Sequence, residues 1–201
     1  VCFNTLAIPA DGFNHRREDA RKVNNPLTPP QGTVTVRPAT PDDAALLRAL
    51  RLEALAHHPE VFAADHAFTA AGSVESWAER ITEYARDDEG LICVAATEDR
   101  LVGMAGLVRG HWPKTRHGAT MWGVYVQAEW RGLGVGGALV EACVAWAQAQ
   151  GVVVVKLGVV TTNTPAIRCY ARCGFGVYGV DPKVIYYDGF FYDELLMARS
   201  I

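Results

Sequence analysis

Ten consecutive residues, Trp130-Arg131-Gly132-Leu133-Gly134-Val135-Gly136-Gly137-Ala138-Leu139, hold four glycines between an apolar strand-like segment and an amphipathic helix-like one. Side-chain-free positions there let successive backbone N–H groups approach an anion, and the positive end of the helix that follows adds to the attraction. The corresponding chemistry is a phosphate cradle. Gly132-x-Gly134-x-x-Gly137 also satisfies a dinucleotide pattern, but that fold requires an acid about twenty residues on. No Asp or Glu occurs between Glu141 and Asp181, and the Gly-Lys-Ser/Thr ending of a triphosphate loop is absent. The bland alternative is a tight turn whose glycines only permit close helix packing.

A second constellation lies about thirty residues downstream. Asn163 and Tyr170 are seven positions apart, close to two helical turns, so they share a face if Asn163 starts a helix. Asn caps helices well and Pro165 is tolerated in a first turn. Taken singly, Asn163 reads as a cap and Tyr170 as a half-buried aromatic. The five cysteines, Cys2, Cys93, Cys143, Cys169 and Cys173, are an odd set without C-x-x-C spacing, and the six histidines have no metal-binding spacing. Structural packing is the expected role of the cysteines, and no metal is expected.

The elements that must position these residues follow from periodicity. Thr33 to Arg37 alternates as a half-buried strand; Thr40-Pro41-Asp42-Asp43 opens a helix with Leu46, Leu47, Leu50 and Leu55 as its buried stripe. A second helix opens at Ser73 with Val74, Trp77, Ile81 and Tyr84 inward. Leu91 to Ala96 and Leu101 to Val108 form an antiparallel hairpin, and Ala119 to Val126 is the next strand. A strand, helix, strand, helix alternation then runs through Val135 to Gln150, Val152 to Val159 and about Thr164 to Cys173. The valine run reads as a strand covered on both faces, and Gly176 to Val180 and Phe191 to Ala198 supply two last strands.

The chain has 201 residues, 50% of them hydrophobic and 20% charged, enough for one sizeable core and too few for two ordinary domains. Residues 1 to 32, with Pro9, Pro26, Pro29 and Pro30 and no apolar repeat, read as a flexible extension before a unit spanning 33 to 201. The 19 Lys plus Arg against 22 Asp plus Glu give a net charge of −3, which argues against nucleic-acid binding by overall positive charge. Lys156 and Gly158 interrupt the longest apolar run, so no membrane span is expected, and residues 1 to 8 lack a basic leader. Reduced cysteines in the cytoplasm follow as the expected setting.

Arg131-Gly132-Leu133-Gly134-Val135-Gly136 resembles the signature Gln/Arg-x-x-Gly-x-Gly/Ala of the GNAT family of acetyl-CoA-dependent N-acetyltransferases. Asn163, Ala166, Tyr170 and Gly174-Phe175 are similar to that family's second conserved block, and the resemblance spans roughly residues 33 to 200. It implies an α/β (α+β) fold: a mixed, mostly antiparallel sheet of 6–7 strands, about four flanking helices, and a splayed parallel strand pair holding the cofactor. It further implies that the backbone of Val124, Tyr125 and Val126 bonds the pantetheine arm as an added strand would. The N–H groups from Arg131 through Gly137, with Leu133 and Val135 among them, would hold the pyrophosphate, and Asn163 would reach the pantetheine. Arg131 either approaches a phosphate or closes the turn.

The implied activity is transfer of an acetyl group from acetyl-CoA to a primary amine of a small molecule or protein, by direct attack within a ternary complex. Tyr170 would protonate the departing thiolate, and a backbone N–H near Val124 would donate to the oxyanion. The family often carries an acid on the strand before the cradle, but Ala119 to Val126 has none, so the base stays unassigned among Glu53, Glu60, Asp65 and His66. Trp77, Trp112, Tyr186, Tyr187, Phe190 and Phe191 either line the acceptor cleft or pack in the core. The family also allows a homodimer through the terminal strands. The competing readings are a non-catalytic acyl-CoA sensor and, more distantly, a dinucleotide oxidoreductase.

Overall fold

The computed structural model describes residues 25–27, 32–86 and 88–201. Among these residues, eight strands form one sheet in the order β1-β2-β3-β4-β5-β6-β8-β7. They are β1 (Asn25–Leu27), β2 (Val34–Pro38), β3 (Gly90–Ala96), β4 (Leu101–Arg109), β5 (Gly118–Val126), β6 (Val154–Val160), β7 (Gly176–Tyr187) and β8 (Phe190–Ser200). Five α-helices among the described residues accompany them: α1 (Ala44–His57), α2 (His66–Ala71), α3 (Val74–Arg86), α4 (Val135–Ala149) and α5 (Thr164–Arg172). Every neighbouring pair is antiparallel except β5 with β6. This is the mixed sheet with one parallel pair that the sequence implies, with eight strands instead of six or seven.

Two cores sandwich the sheet. Leu139, Val140, Cys143 and Trp146 of α4 pack on one face against Val102, Leu107, Val155 and Met197. Leu47, Leu50 and Ala54 of α1 and Trp77 and Ile81 of α3 cover the other face over Val94, Met104 and Tyr125. Helix α1 opens as expected, through a 3₁₀ turn at Pro41–Asp43. Its stripe differs at Leu46, which is 45% exposed, while Ala44, Arg51 and Ala54 turn inward. Val74 likewise faces solvent in α3.

The Asp43 carboxylate ties α1 to β2. It accepts from Arg37 Nη1 and Nη2 at 2.6 and 2.8 Å and from the Thr40 N–H at 2.7 Å. The Arg37 hydrogen bond, with smaller help from Thr40 and against the cost of burial, holds the carboxyl below its ordinary pKa. A depressed folded-state pKa means that this stabilisation is complete above the unfolded value of about 4 and is lost as pH falls through the folded one. Asp43→Asn is therefore expected to lower Tm most at neutral pH. The gap to the wild type should close below about pH 4 in a pH series of thermal melts.

Other departures have local causes. Strand β1 lies inside the stretch expected as an extension, and it pairs with β2 from Asn25↔Val36 to Leu27↔Val34. Helix α2 has six residues and buries none of them, so no apolar periodicity announces it. Strand β6 starts at Val154, and it is covered on one face only, since Lys156 and Gly158 are exposed. The strand expected over Gly176 to Val180 is longer than that: β7 continues through Asp181-Pro182-Lys183 to Tyr187, with a register shift between Asp181 and Ile185. Lys183 takes φ 56°, and its N–H donates to Asp193 Oδ1 at 2.8 Å, which carries the strand across the irregularity.

Candidate active site

Strands β5 and β6 pair over only three positions, Gly118↔Val154 to Thr120↔Lys156. Beyond them β5 bulges: its register against β4 shifts between Met104↔Tyr125 and Gly106↔Trp122, and Gly123 adopts φ 64°. A bulge bends its strand and ends pairing, here on the side of β6. The positive φ suits glycine, because an L side chain in that region costs about 1–2 kcal/mol. The result is a cleft whose one edge is the backbone from Val124 to Val126, unpaired on the side of β6.

The glycine-rich turn closes the inner end of this cleft. Gly132 and Gly134 have φ 76° and 86°, and Gly134 is the N-cap of α4. The first helical bond of α4 runs from the Ala138 N–H to the Gly134 carbonyl. The N–H groups of Val135, Gly136 and Gly137 therefore have no acceptor inside the helix. Gly132, Gly134, Gly136 and Gly137 line the cavity, whereas the Val135 side chain is in the core and Leu133 packs against it. Those last two positions can contribute only backbone.

Helix α5 forms the opposite wall. Asn163 caps it, its Oδ1 accepting from the Ala166 N–H at 3.3 Å, and Asn163, Pro165, Ala166 and Tyr170 face the cavity. Tyr170 is 7% exposed; burial, reinforced by the neighbouring Cys169, Cys143 and Cys173, raises its pKa far above the ordinary tyrosine value. Its ring lies edge-on to Phe175, with centroids 6.1 Å apart, and its hydroxyl makes no hydrogen bond among the described residues. The cavity of about 850 Å³ thus joins Val124–Val126, the glycine turn, Asn163 and Tyr170.

Arg131 spans the end of β5. Its Nε donates to the Val126 carbonyl at 2.8 Å, its Nη2 lies 3.0 Å from His58 Nε2, and its guanidinium sits over the Tyr125 ring. It closes the turn, and one lone pair of the Val126 carbonyl is already taken. Burial and then the Arg131 charge lower the His58 pKa, so the imidazole is neutral at pH 7. Nε2 accepts from Arg131 in that state.

Of the four acids and histidines considered as bases, the structure brings only Glu60 into the cavity. Glu53 accepts from the Tyr125 hydroxyl at 2.9 Å and from Gln127 Nε2 at 2.8 Å, so both its oxygens are engaged. Burial, with the Glu53 bond second, raises the Tyr125 pKa to about 12. Asp65 caps α2 through the Phe68 N–H, and His66 lines a separate cavity of about 490 Å³ with Phe62, Tyr186 and Tyr187. None of the six aromatics considered for the cleft lines the main cavity. Trp77 is in the core, and Trp112, Phe190 and Phe191 are exposed.

Sequence reasoning missed His58, Phe62, Thr162, Arg168 and Arg172 as lining residues. The last two had a usable signal: a spacing of four on the helix that carries Tyr170, which stacks two cations on one face. His58 and Phe62 come from the irregular segment after α1, where no periodicity operates.

A profile of the acetyltransferase (GNAT) family matches residues 54–175, more than half of the chain and the whole of the cleft. The chain belongs to the GNAT acetyltransferase family. This GNAT chain is 33% identical over 161 residues to a mycothiol acetyltransferase of Pseudarthrobacter chlorophenolicus, covering 76% of itself and 45% of that protein. It thus spans about half the length of that relative. It is 28% identical over 127 residues to the L-amino acid N-acetyltransferase AaaT of Escherichia coli, covering 61% of itself and 74% of the relative. Its fold matches the crystal structure of a GNAT-family acetyltransferase from Streptococcus pneumoniae with a TM-score of 0.76 and 25% identity, over 84% of this chain and 99% of that one. Among the described residues of the GNAT chain, no helix is long and apolar enough to cross a membrane.

Proposed function

We propose that this chain transfers the acetyl group of acetyl-CoA to a primary amine in a ternary complex. The observation that carries the reading is the parting of β5 from β6 at the Gly123 bulge, which opens a single cavity onto both the glycine turn and Tyr170. The family relationship supports it, and both relatives are named for small molecules. A small-molecule amine is therefore preferred over a protein.

In this reading the free N–H groups of Val135, Gly136 and Gly137 hold the pyrophosphate at the positive end of α4. Arg168 and Arg172 supply the charge that a chain of net −3 has to concentrate locally. The pantetheine lies along Val124–Val126, and the Asn163 amide N–H₂ is the donor that its capping role leaves over. Acetyl-CoA supplies the activated thioester.

The amine nitrogen attacks the thioester carbonyl; the C–N bond forms as the C–S bond breaks, with the oxyanion on the Val124 N–H. Tyr170 gives its proton to the departing thiolate. Making an ammonium of pKa about 10.4 neutral at pH 7 costs about 4 to 5 kcal/mol, so its proton needs an acceptor. Glu60 is the one carboxylate among the described residues that line the cavity, and it takes that proton directly or through water. Cys169 also lines the cavity, but burial raises its thiol pKa, which disfavours an acetylated cysteine intermediate.

The test is thiol release from acetyl-CoA over a panel of primary amines, with calorimetry of acetyl-CoA binding alongside. Release with at least one amine, first order in both substrates and without a burst in its absence, is the expected result. Tight CoA binding with no release for any amine would favour the sensor reading instead.

A further inference from the structure

On the α1 side of the cleft lies a buried cation without a counterion. Arg51 is 7% exposed, and its Nη1 is fully buried with no hydrogen-bond partner. No carboxylate among the described residues pairs with it. A Cβ placed on Gly123 would lie 3.5 Å from that Nη1, which sets the guanidinium directly behind the bulge. The ring of Phe62 stacks on it, 4.6 Å from Cζ, and Phe62 itself lines the cavity. Its charged neighbour is another cation, Arg80. Burial, with a smaller contribution from Arg80, lowers the guanidinium pKa to about 10, so it remains charged at neutral pH.

The contrast with the other arginines is sharp. Arg37 meets Asp43 at 2.6 Å and Arg199 meets Glu141 at 2.7 Å, although both are more exposed than Arg51. A buried charge without a partner destabilises the fold unless an anion reaches it.

We propose that Arg51 binds a carboxylate of the acceptor, so that the amine acetylated belongs to a short amino-acid-type molecule. This rests on the acetyl-transfer reading above. Two points support it. Gly123 precedes Val124, and consecutive Cα atoms lie about 3.8 Å apart, so the guanidinium behind Gly123 is next to the residue whose N–H is assigned to the oxyanion. That span fits one or two carbons between amine and carboxylate. The pair of arginines at the corner of α1 and α3 repels a polyamine, whose remaining ammonium groups would meet like charge. Arg51 does not itself line the cavity; the half-buried Phe62 ring stacked on it does, and in the proposed complex that ring rotates aside about its two side-chain torsions. A carboxylate then replaces the ring face with the stronger bidentate partner.

The experiment compares thiol release with free L-α-amino acids, the same amino acids as C-terminal amides, and spermidine, for wild type, Arg51→Met and Arg51→Lys. The wild type is expected to favour the free acids over their amides by about 10²-fold in kcat/KM. Arg51→Met should erase that preference with KM for acetyl-CoA unchanged and Tm equal or higher, and Arg51→Lys should restore part of it. Amides or spermidine acetylated as well as the free acids would overturn the inference, as would a preference that survives in Arg51→Met. A large fall in Tm for both variants would mark Arg51 as structural and overturn it too. If acetyl-CoA binds but no amine is acetylated, the transfer reading fails by itself. The anion site is then decided by titrating N-acetyl-L-alanine into the CoA-loaded protein: binding lost in Arg51→Met upholds it, and equal or absent binding in both proteins overturns it.

Discussion

Tyr170→Phe is expected to lower kcat by about 10²-fold while leaving KM for acetyl-CoA nearly unchanged, as general acids typically contribute 10²-fold or more. The hydroxyl has no hydrogen-bond partner among the described residues, so its removal leaves nothing buried and unpaired. Phe keeps the edge-on contact with Phe175 and the fit beside Cys169 and Cys173. Tm is therefore expected to hold, which separates a lost proton donor from a damaged fold. A pH profile adds a second check. Because burial raises the Tyr170 pKa well above about 10, kcat should show no decline from its ionisation below that pH. Unchanged turnover in Tyr170→Phe would remove the assignment, and the thiolate would then leave without help or take a proton from solvent.

Gly136→Asp is expected to weaken acetyl-CoA binding by about 10²-fold or more without lowering Tm. A Cβ at Gly136 makes only ordinary contacts, 3.7 Å from Cys169 Sγ and 3.8 Å from Val126 Cγ2, so the backbone accepts it. The added carboxylate stands in the first turn of α4, where a negative charge favours the helix. The same charge would face the pyrophosphate at about 5 Å, and at an effective dielectric of about 20 one such pair repels by about 3 kcal/mol. Stability and affinity should thus move independently. Calorimetric titration with CoA and a thermal melt of the same sample would show both. Wild-type affinity in Gly136→Asp would place the pyrophosphate elsewhere.

The half of the cavity proposed for the cofactor was legible in the sequence because it is built from local rules. The spacing of Gly132, Gly134, Gly136 and Gly137 identifies a cradle, and the cap at Asn163 with Tyr170 two turns on sets a helix face. In the structure these residues line the same cavity. Helices with strong apolar stripes and the hairpin of β3 and β4 came through for the same reason. Misreadings fall where periodicity is weak or locally contradicted: Leu46, the six-residue α2, and the Asp181-Pro182-Lys183 bulge inside β7.

The acceptor half follows no such rule. His58, Glu60 and Phe62 sit on an irregular segment after α1, and they reach the cleft because α1 packs across β4 and is tied to β5 through the Glu53–Tyr125 hydrogen bond. Arg51 reads in the sequence as one more cation on an amphipathic helix. Its burial behind Gly123 depends on the bulge in β5 and on α3 closing over α1, both produced by contacts remote along the chain. Short-range spacing encodes where a phosphate can sit, since a turn and a helix end are local structures. Which side chains face the reacting carbonyl is set by how distant elements pack, and there the sequence pattern is silent.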